Sequence, residues 1–235
     1  MSHAQGLYSV AQVRAFDAHA IGVLGVPGIT LMERAGEAAL RVLRERWPAA
    51  RRIAIVCGGG NNGGDGYIVG ARARAAGLEV SLLALVDPAQ LRGDARLAAD
   101  RFIAARGMVQ AFAPVALKGV DLIVDALLGT GLREPPRAEF AAAIDVMNGT
   151  GLPILALDLP SGLDGDRGRA PGAVVRAEAT VTFVARKLGL YLNDGPDYTG
   201  HIYVDDLGVI PPQDDMATPA LQLSLIHISE PTRPY

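Results

Sequence analysis

Cys57-Gly58-Gly59-Gly60-Asn61-Asn62-Gly63-Gly64-Asp65-Gly66 follows directly on the apolar run Ile53 to Val56. Gly58, Gly60 and Gly63 satisfy the spacing G-x-G-x-x-G, in which bare backbone can approach a diphosphate at a helix N-terminus. Asp87 stands 24 positions beyond Gly63, at the end of the next apolar run, close to where a dinucleotide fold places a ribose-binding acid. An NAD-dependent oxidoreductase is therefore one reading, although no residues suited to hydride transfer accompany it. Two features count against it. A carboxylate on Asp65 at the helix start would compete with phosphate for the same amides. The paired amides of Asn61 and Asn62 offer donors and acceptors together, which suits an amide-bearing ring, a sugar or an oxygen-liganded cation better than phosphate alone. The same loop also reads as a plain glycine-rich turn with Asp65 as helix cap.

Two further loops repeat the pattern of an acid ending an apolar run: Asp125-Ala126-Leu127-Leu128-Gly129-Thr130-Gly131-Leu132, and Asp158-Leu159-Pro160-Ser161-Gly162. A carboxylate there finds few partners unless it meets a ligand, a cation or helix amides, though either acid alone could simply cap a turn. Lys187 reads as a solvated lysine rather than a phosphate partner. Cys57 reads as a small buried residue rather than a nucleophile. The histidines have no metal-site spacing.

These loops need a scaffold that brings strand ends together. Ile53 to Val56, Leu122 to Val124 and Ile154 to Leu157 read as strands buried on both faces, with Val80 to Leu85, Val109 to Phe112, Thr180 to Val184 and His201 to Val204 as further strands. Helical periods separate them over Asp65 to Ala76, Asp94 to Ala105 and Ala138 to Met147. The alternation predicts an α/β fold of Rossmann-like, three-layer αβα type with a mostly parallel sheet, whose strand C-termini share one crevice. Two helices over Val10 to Ile21 and Ile29 to Trp47 form an N-terminal helical extension. Its small alanines suit close packing against either the sheet or a second subunit.

The chain has 235 residues, 50% hydrophobic and 20% charged, enough for a sizeable core. Its net charge of −3 supplies no basic surplus to hold nucleic acid. One cysteine allows no internal disulfide, which fits a reducing cytoplasm. The most apolar-looking uncharged stretch, Ile21 to Met32, is broken by glycine and proline and is far short of a membrane span, and Met1 to Leu7 has neither a basic leader nor a continuous apolar core, so neither a membrane nor a secretory leader is expected. Residues 1–212 are expected to form the domain, with 213–223 a linker or the start of a truncated downstream region. Residues 224–235 resemble the conceptual translation of a transposase sequencing adapter and are expected to be an assembly scar.

In order, Ser9-Val10-Ala11-Gln12-Val13-Arg14-Ala15-Phe16-Asp17, Leu31-Met32-Glu33-Arg34-Ala35-Gly36, Gly60-Asn61-Asn62-Gly63-Gly64-Asp65-Gly66, Asp125-Ala126-Leu127-Leu128-Gly129-Thr130-Gly131 and Asp158-Leu159-Pro160-Ser161-Gly162 resemble the NAD(P)H-hydrate epimerases, the YjeF N-terminal domain family. Arg34 departs from that pattern, where asparagine is frequent, and is expected to affect helix packing or a dimer surface. The resemblance implies epimerisation of hydrated NADH and NADPH at C6 of the ring. It implies substrate-binding loops at Asn61, Asn62, Gly63, Gly64 and Asp65 and at Gly129, Thr130, Gly131, Leu132 and Arg133. It gives Asp158 as a substrate-contacting carboxylate, for which an acid/base role is expected, and Asn62, Asp125 and Ser161 as ligands of one potassium ion per subunit. A homodimer is implied, as is a dehydratase domain that in some members follows this one. The alternative within the same fold is a non-catalytic nucleotide-binding or dimerisation module.

Overall fold

Ser9 starts the first helix with a reciprocal cap: its hydroxyl accepts from the Gln12 amide at 3.2 Å, while its own amide donates to the Gln12 side chain at 3.0 Å. In the computed structural model, which describes residues 6–132, 134–212 and 217–223, this helix is α1 (Val10–Gly22), preceded by β1 (Gly6–Tyr8). Then follow α2 (Gly28–Arg46), β2 (Arg52–Cys57), α3 (Asn61–Ala75), β3 (Glu79–Ala84), α4 (Gly93–Ala104), β4 (Val109–Ala111), β5 (Leu122–Ala126), α5 (Ala138–Gly149) and β6 (Ile154–Leu157). The last described elements are β7 (Ala179–Phe183), β8 (Arg186–Lys187), the short α6 (Gly195–Thr199), β9 (His201–Asp205) and β10 (Leu221–Gln222).

The apolar runs form a parallel sheet in the order β4-β3-β2-β5-β6-β7-β9. Its order reverses between β2 and β5, so the loops leaving these two strands diverge and open a crevice between them. Both sheet faces are covered. Ile53, Ile55, Leu122 and Val124 pack under α2, α3 and α4, while Ala54, Val56, Leu83 and Ile123 pack against Phe140, Ala143, Ile144 and Met147 of α5. Strands buried on both faces explain the continuous apolar runs.

The N-terminal helices are part of this cover. Leu31, Ala35, Ala38, Ala39 and Val42 of α2 are buried in the same core as α3 and the sheet, which settles what their small side chains pack against. Arg34 donates to the Leu207 carbonyl at 2.7 Å, tying α2 to the segment after β9. A small second sheet in the order β10-β1-β8 was not foreseen. Part of the segment read as a linker therefore takes strand form, Leu7 pairing with Leu221, and Gln12 donates to the Thr218 carbonyl at 2.8 Å. Residues 224–235 lie outside the described residues. Among the described residues, no helix is long and apolar enough to cross a membrane.

Candidate active site at the sheet switch point

Helix α3 begins four residues earlier than the hydrophobic period suggested, because Gly60 is extended and lets Asn61 and Asn62 form its first turn. Asp65 is therefore inside the helix and caps nothing. It points into a cavity of about 690 Å³, walled by α1, α2 and the loops after β2 and β5, with Asp158, Phe183, Val184 and Lys187 also in its lining. That volume suits a cofactor-sized ligand.

Two of the fingerprint glycines serve internal packing. A Cβ on Gly58 would lie 1.9 Å from the Leu127 carbonyl oxygen, and one on Gly63 would lie 2.1 Å from that of Gly58. Glycine here lets the two site loops touch through their backbones. Gly63 and Gly64 are buried in α3 rather than exposed to the cavity, whereas Asn61, Asn62, Asp65, Gly129, Thr130, Gly131, Leu132 and Asp158 line it. Arg133 lies outside the described residues. Asp87 does not line the cavity: its carboxylate accepts from the Ala89 amide at 2.8 Å and caps a short turn, which removes the acid on which the oxidoreductase reading leaned.

Asn62, Asp125 and Ser161 converge just beneath the crevice. Asp125 and Ser161 are fully buried and Asn62 is 8% exposed. Ser161 donates its hydroxyl to Asp125 Oδ1 at 2.6 Å and its amide to Asp125 Oδ2 at 2.8 Å. Asn62 Nδ2 donates to the Leu128 carbonyl at 3.1 Å, and that same oxygen lies 3.1 Å from Ser161 Oγ. Asn62 Oδ1, in contrast, is buried with no hydrogen-bond partner. An orphaned amide oxygen beside a buried carboxylate, a hydroxyl and a carbonyl is a set of hard oxygen donors, and it fits a hard cation. Burial pushes the Asp125 carboxyl up to about 6 against the hydrogen bonds from Ser161 and Leu127, so a positive charge would relieve it. Among the described residues, no group of three or more His, Cys, Asp or Glu could hold a metal ion.

Above this cluster Asp158 follows β6 with φ +65°. Val184 (φ +67°) and Leu207 (φ +55°) also adopt the left-handed region and line the same cavity. Such conformations cost about 1–3 kcal/mol each and gather where the surrounding structure imposes them at working sites. Asp158 is held by the most important residue that sequence reasoning missed. Lys187 is 1% exposed, not solvated. Its ammonium pairs with Asp158 Oδ1 and donates to Thr182 Oγ1 at 3.0 Å and the Phe183 carbonyl at 2.7 Å. All three N–H donors are thereby used, leaving none for a phosphate. Its signal was structural: β8 is two residues long and pairs with β1, not with the main sheet.

Asp17 on α1 was not singled out either, yet it lines the cavity. Burial pushes its carboxyl up to about 6, the Lys187 charge opposing and the Asp158 charge adding. Asp65 is raised well above the usual carboxylate range, chiefly by burial and then by Asp158 and Asp17. Cys57 is fully buried and its thiol is pushed up by burial, as expected of a packing residue. The site thus holds three carboxyls around one ammonium, above an oxygen-lined pocket. That is equipment for moving protons on a polar ligand.

The family model described as YjeF-related protein N-terminus matches residues 28–189. The chain is 46% identical over 197 residues to the bifunctional NAD(P)H-hydrate repair enzyme Nnr of Escherichia coli, covering 84% of this chain and 38% of that one. It is 36% identical over 204 residues to the NAD(P)H-hydrate epimerase of Limosilactobacillus fermentum, covering 85% and 96%. The chain spans about two-fifths of the Escherichia coli enzyme and nearly all of the Limosilactobacillus one. The crystal structure of yeast ynu0 superposes with TM-score 0.75 at 19% identity, covering 92% of this chain and 99% of that one, and so supports the fold alone. On the strength of the family match and the near full-length relative, the chain belongs to the YjeF-related protein N-terminus family.

Proposed function

We propose that this protein is an NAD(P)H-hydrate epimerase, an isomerase that interconverts the R and S epimers of hydrated NADH and NADPH in cofactor repair. The observation that carries the reading is the Asp158–Lys187 pair at the floor of a crevice built from Asn61, Asn62, Asp65 and the loop Gly129 to Leu132. A relative covered over 96% of its length carries the same activity in its name.

The chemistry suits these residues. C6 of the hydrated ring bears both N1 and a hydroxyl, so the nitrogen lone pair can expel the oxygen and leave a planar iminium that water can attack from either face. Asp158 handles protons at that oxygen, and Lys187, itself anchored to Thr182 Oγ1 and the Phe183 carbonyl, fixes the carboxylate with its third N–H. The first turn of α3 and the loop through Thr130 hold the remainder of the nucleotide. Arg14 of α1 clamps that loop by donating to the Thr130 carbonyl at 3.1 Å. Asn62, Asp125 and Ser161, with the Leu128 carbonyl, would hold one potassium ion per subunit. When bound, the ion neutralises Asp125 and stiffens the two loops, and it acts as a structural charge rather than as an acid. A cytoplasmic homodimer rests on the family resemblance, as does a downstream dehydratase domain. Dehydration is assigned to no residue described here.

The test is chromatographic. Separated R epimer of hydrated NADH, incubated with the protein in potassium buffer, is converted to S faster than in buffer alone. Conversion at the spontaneous rate by folded protein would overturn the assignment.

A further inference from the structure

Epimerisation through loss and return of water needs a proton delivered when the C6–O bond breaks and another removed when water adds to the opposite face. A single carboxylate, fixed in place, reaches one face of a ring held in a pocket. Asp158 is fixed in this way, because Lys187 holds it and every Lys187 donor is occupied.

Asp17 stands on a different wall. It lies on α1, which covers the cavity from the side while Asp158 rises from a strand end. Among the described residues its carboxyl has no hydrogen-bond donor, and it senses Lys187 and Asp158 without pairing with either. One turn earlier on the same face, Arg14 ties α1 to the Thr130 carbonyl, so this wall is fixed relative to the substrate loop. Asp65 is the third carboxyl of the cluster.

We propose that Asp17 is the second acid–base residue of the epimerisation, carrying the proton that leaves with the C6 oxygen as water, while Asp158 removes the proton from the water that adds on the other face. This rests on the epimerase reading. In one direction Asp17 protonates the C6 hydroxyl, the C6–O bond breaks, water departs and the N1 lone pair becomes the C6–N1 π bond. A water oxygen then bonds to C6 from the other side, the π pair returns to N1, and the released proton passes to Asp158. The reverse direction exchanges the two roles. No oxidant or reductant takes part. The charged groups that line the cavity with Asp17 are Arg14 on its own helix, Asp65 of α3, Asp94 of α4, Asp158 after β6 and Lys187 of β8, of which Asp65, Asp158 and Lys187 act on it or on its charge. Burial places the Asp17 carboxyl at about 6, where it can give and regain a proton near neutrality, whereas Asp65 is pushed well above its ordinary range by burial and by the Asp158 and Asp17 charges.

The experiment follows each separated epimer in H₂¹⁸O, reading epimerisation by chromatography and oxygen exchange at C6 by mass spectrometry, for the wild type, Asp17→Asn, Asp17→Glu and Asp158→Asn. Asp17→Asn slows epimerisation by about 100-fold or more. It still allows one epimer to exchange its oxygen with retention of configuration; Asp158→Asn gives the mirror image, exchange confined to the other epimer. Asp17→Glu restores part of the rate. Should Asp17→Asn fail to fold by thermal melting, Asp17→Ser carries the same comparison. Epimerisation by the Asp17 variant within about threefold of wild type would overturn the proposal, as would loss of exchange for both epimers in that variant, since loss of one acid–base group lowers the rate at least about 100-fold. A wild type that accelerates neither reaction would instead overturn the epimerase reading itself.

Discussion

Lys187→Met replaces a buried ammonium by an apolar side chain of similar length and leaves its acceptors behind. The remaining donors to Asp158 Oδ1 are weak, Thr182 Oγ1 at 3.5 Å and the Phe183 amide at 3.4 Å. Removing one partner of a buried pair costs about 3–5 kcal/mol because the other charge stays behind. Asp158 keeps 15% side-chain exposure, which places the expected loss near the lower end, about 3 kcal/mol at about pH 8. In a chain of this size that corresponds to a fall in Tm of about 6–12 °C. The sign of the pH dependence follows from Asp17 and Asp65, both raised above their ordinary values and both lowered by Lys187. Without the ammonium their folded-state values rise further. A raised carboxyl contributes stability that is present below its unfolded value and is lost as pH climbs through its folded value. The variant therefore loses more at about pH 8 than at about pH 5. Adding Asp158→Asn removes the stranded carboxylate and recovers part of the loss. Urea unfolding of the three proteins at the two pH values measures all of this. A cost below about 1 kcal/mol, or an equal cost at both pH values, would refute the reasoning.

Replacing potassium by a bulky organic cation should lower the Tm. The ion at ten times its dissociation constant stabilises by about 1.4 kcal/mol, and Asp125→Asn should abolish the difference. Equal melting of the wild type in both salts would contradict the oxygen cluster's proposed occupant. Asp17→Asn should be more stable than wild type at about pH 8: the rise from 3.8 to about 6 corresponds to about 3 kcal/mol, which partial exposure reduces to about 1–2 kcal/mol. The gain should vanish below about pH 4, where the carboxyl is protonated in both states; denaturant titrations at each pH check it. Gly58→Ala would place a Cβ 1.9 Å from the Leu127 carbonyl oxygen, so the loops must part, at a cost of about 1–3 kcal/mol with weakened nucleotide binding by calorimetry. Unchanged stability and binding would show that the loop contact is dispensable.

Much of the sheet was legible because strands covered on both faces leave continuous apolar runs: Ile53 to Val56, Leu122 to Val124 and Ile154 to Leu157 all lie in the central strands. Asp125 and Asp158 were legible as site candidates, since each ends such a run and strand ends of a parallel sheet share an edge, whereas the grouping of Asn62, Asp125 and Ser161 came from the family resemblance alone. What stayed hidden depended on partners distant in sequence. Lys187 looks solvated because only the fold brings Asp158, 29 positions away, against it. Asp17 looks like one more polar residue of a surface helix until α1 is laid across the crevice. Asp65 was misplaced at the helix start because Gly63 and Gly64 carry no apolar signal, although α3 runs through both. The Leu128 carbonyl, a backbone group, leaves no trace in residue types.

The proposed epimerase works through Asp158 acting on a nucleotide bound in this crevice. Asp158→Asn should be measured for affinity and turnover on the same preparation, with calorimetry for the hydrated cofactor and chromatography for epimer conversion. Binding within a few-fold of wild type, together with conversion reduced to near the spontaneous rate, is the expected result. Wild-type turnover from a folded Asp158→Asn protein would contradict it.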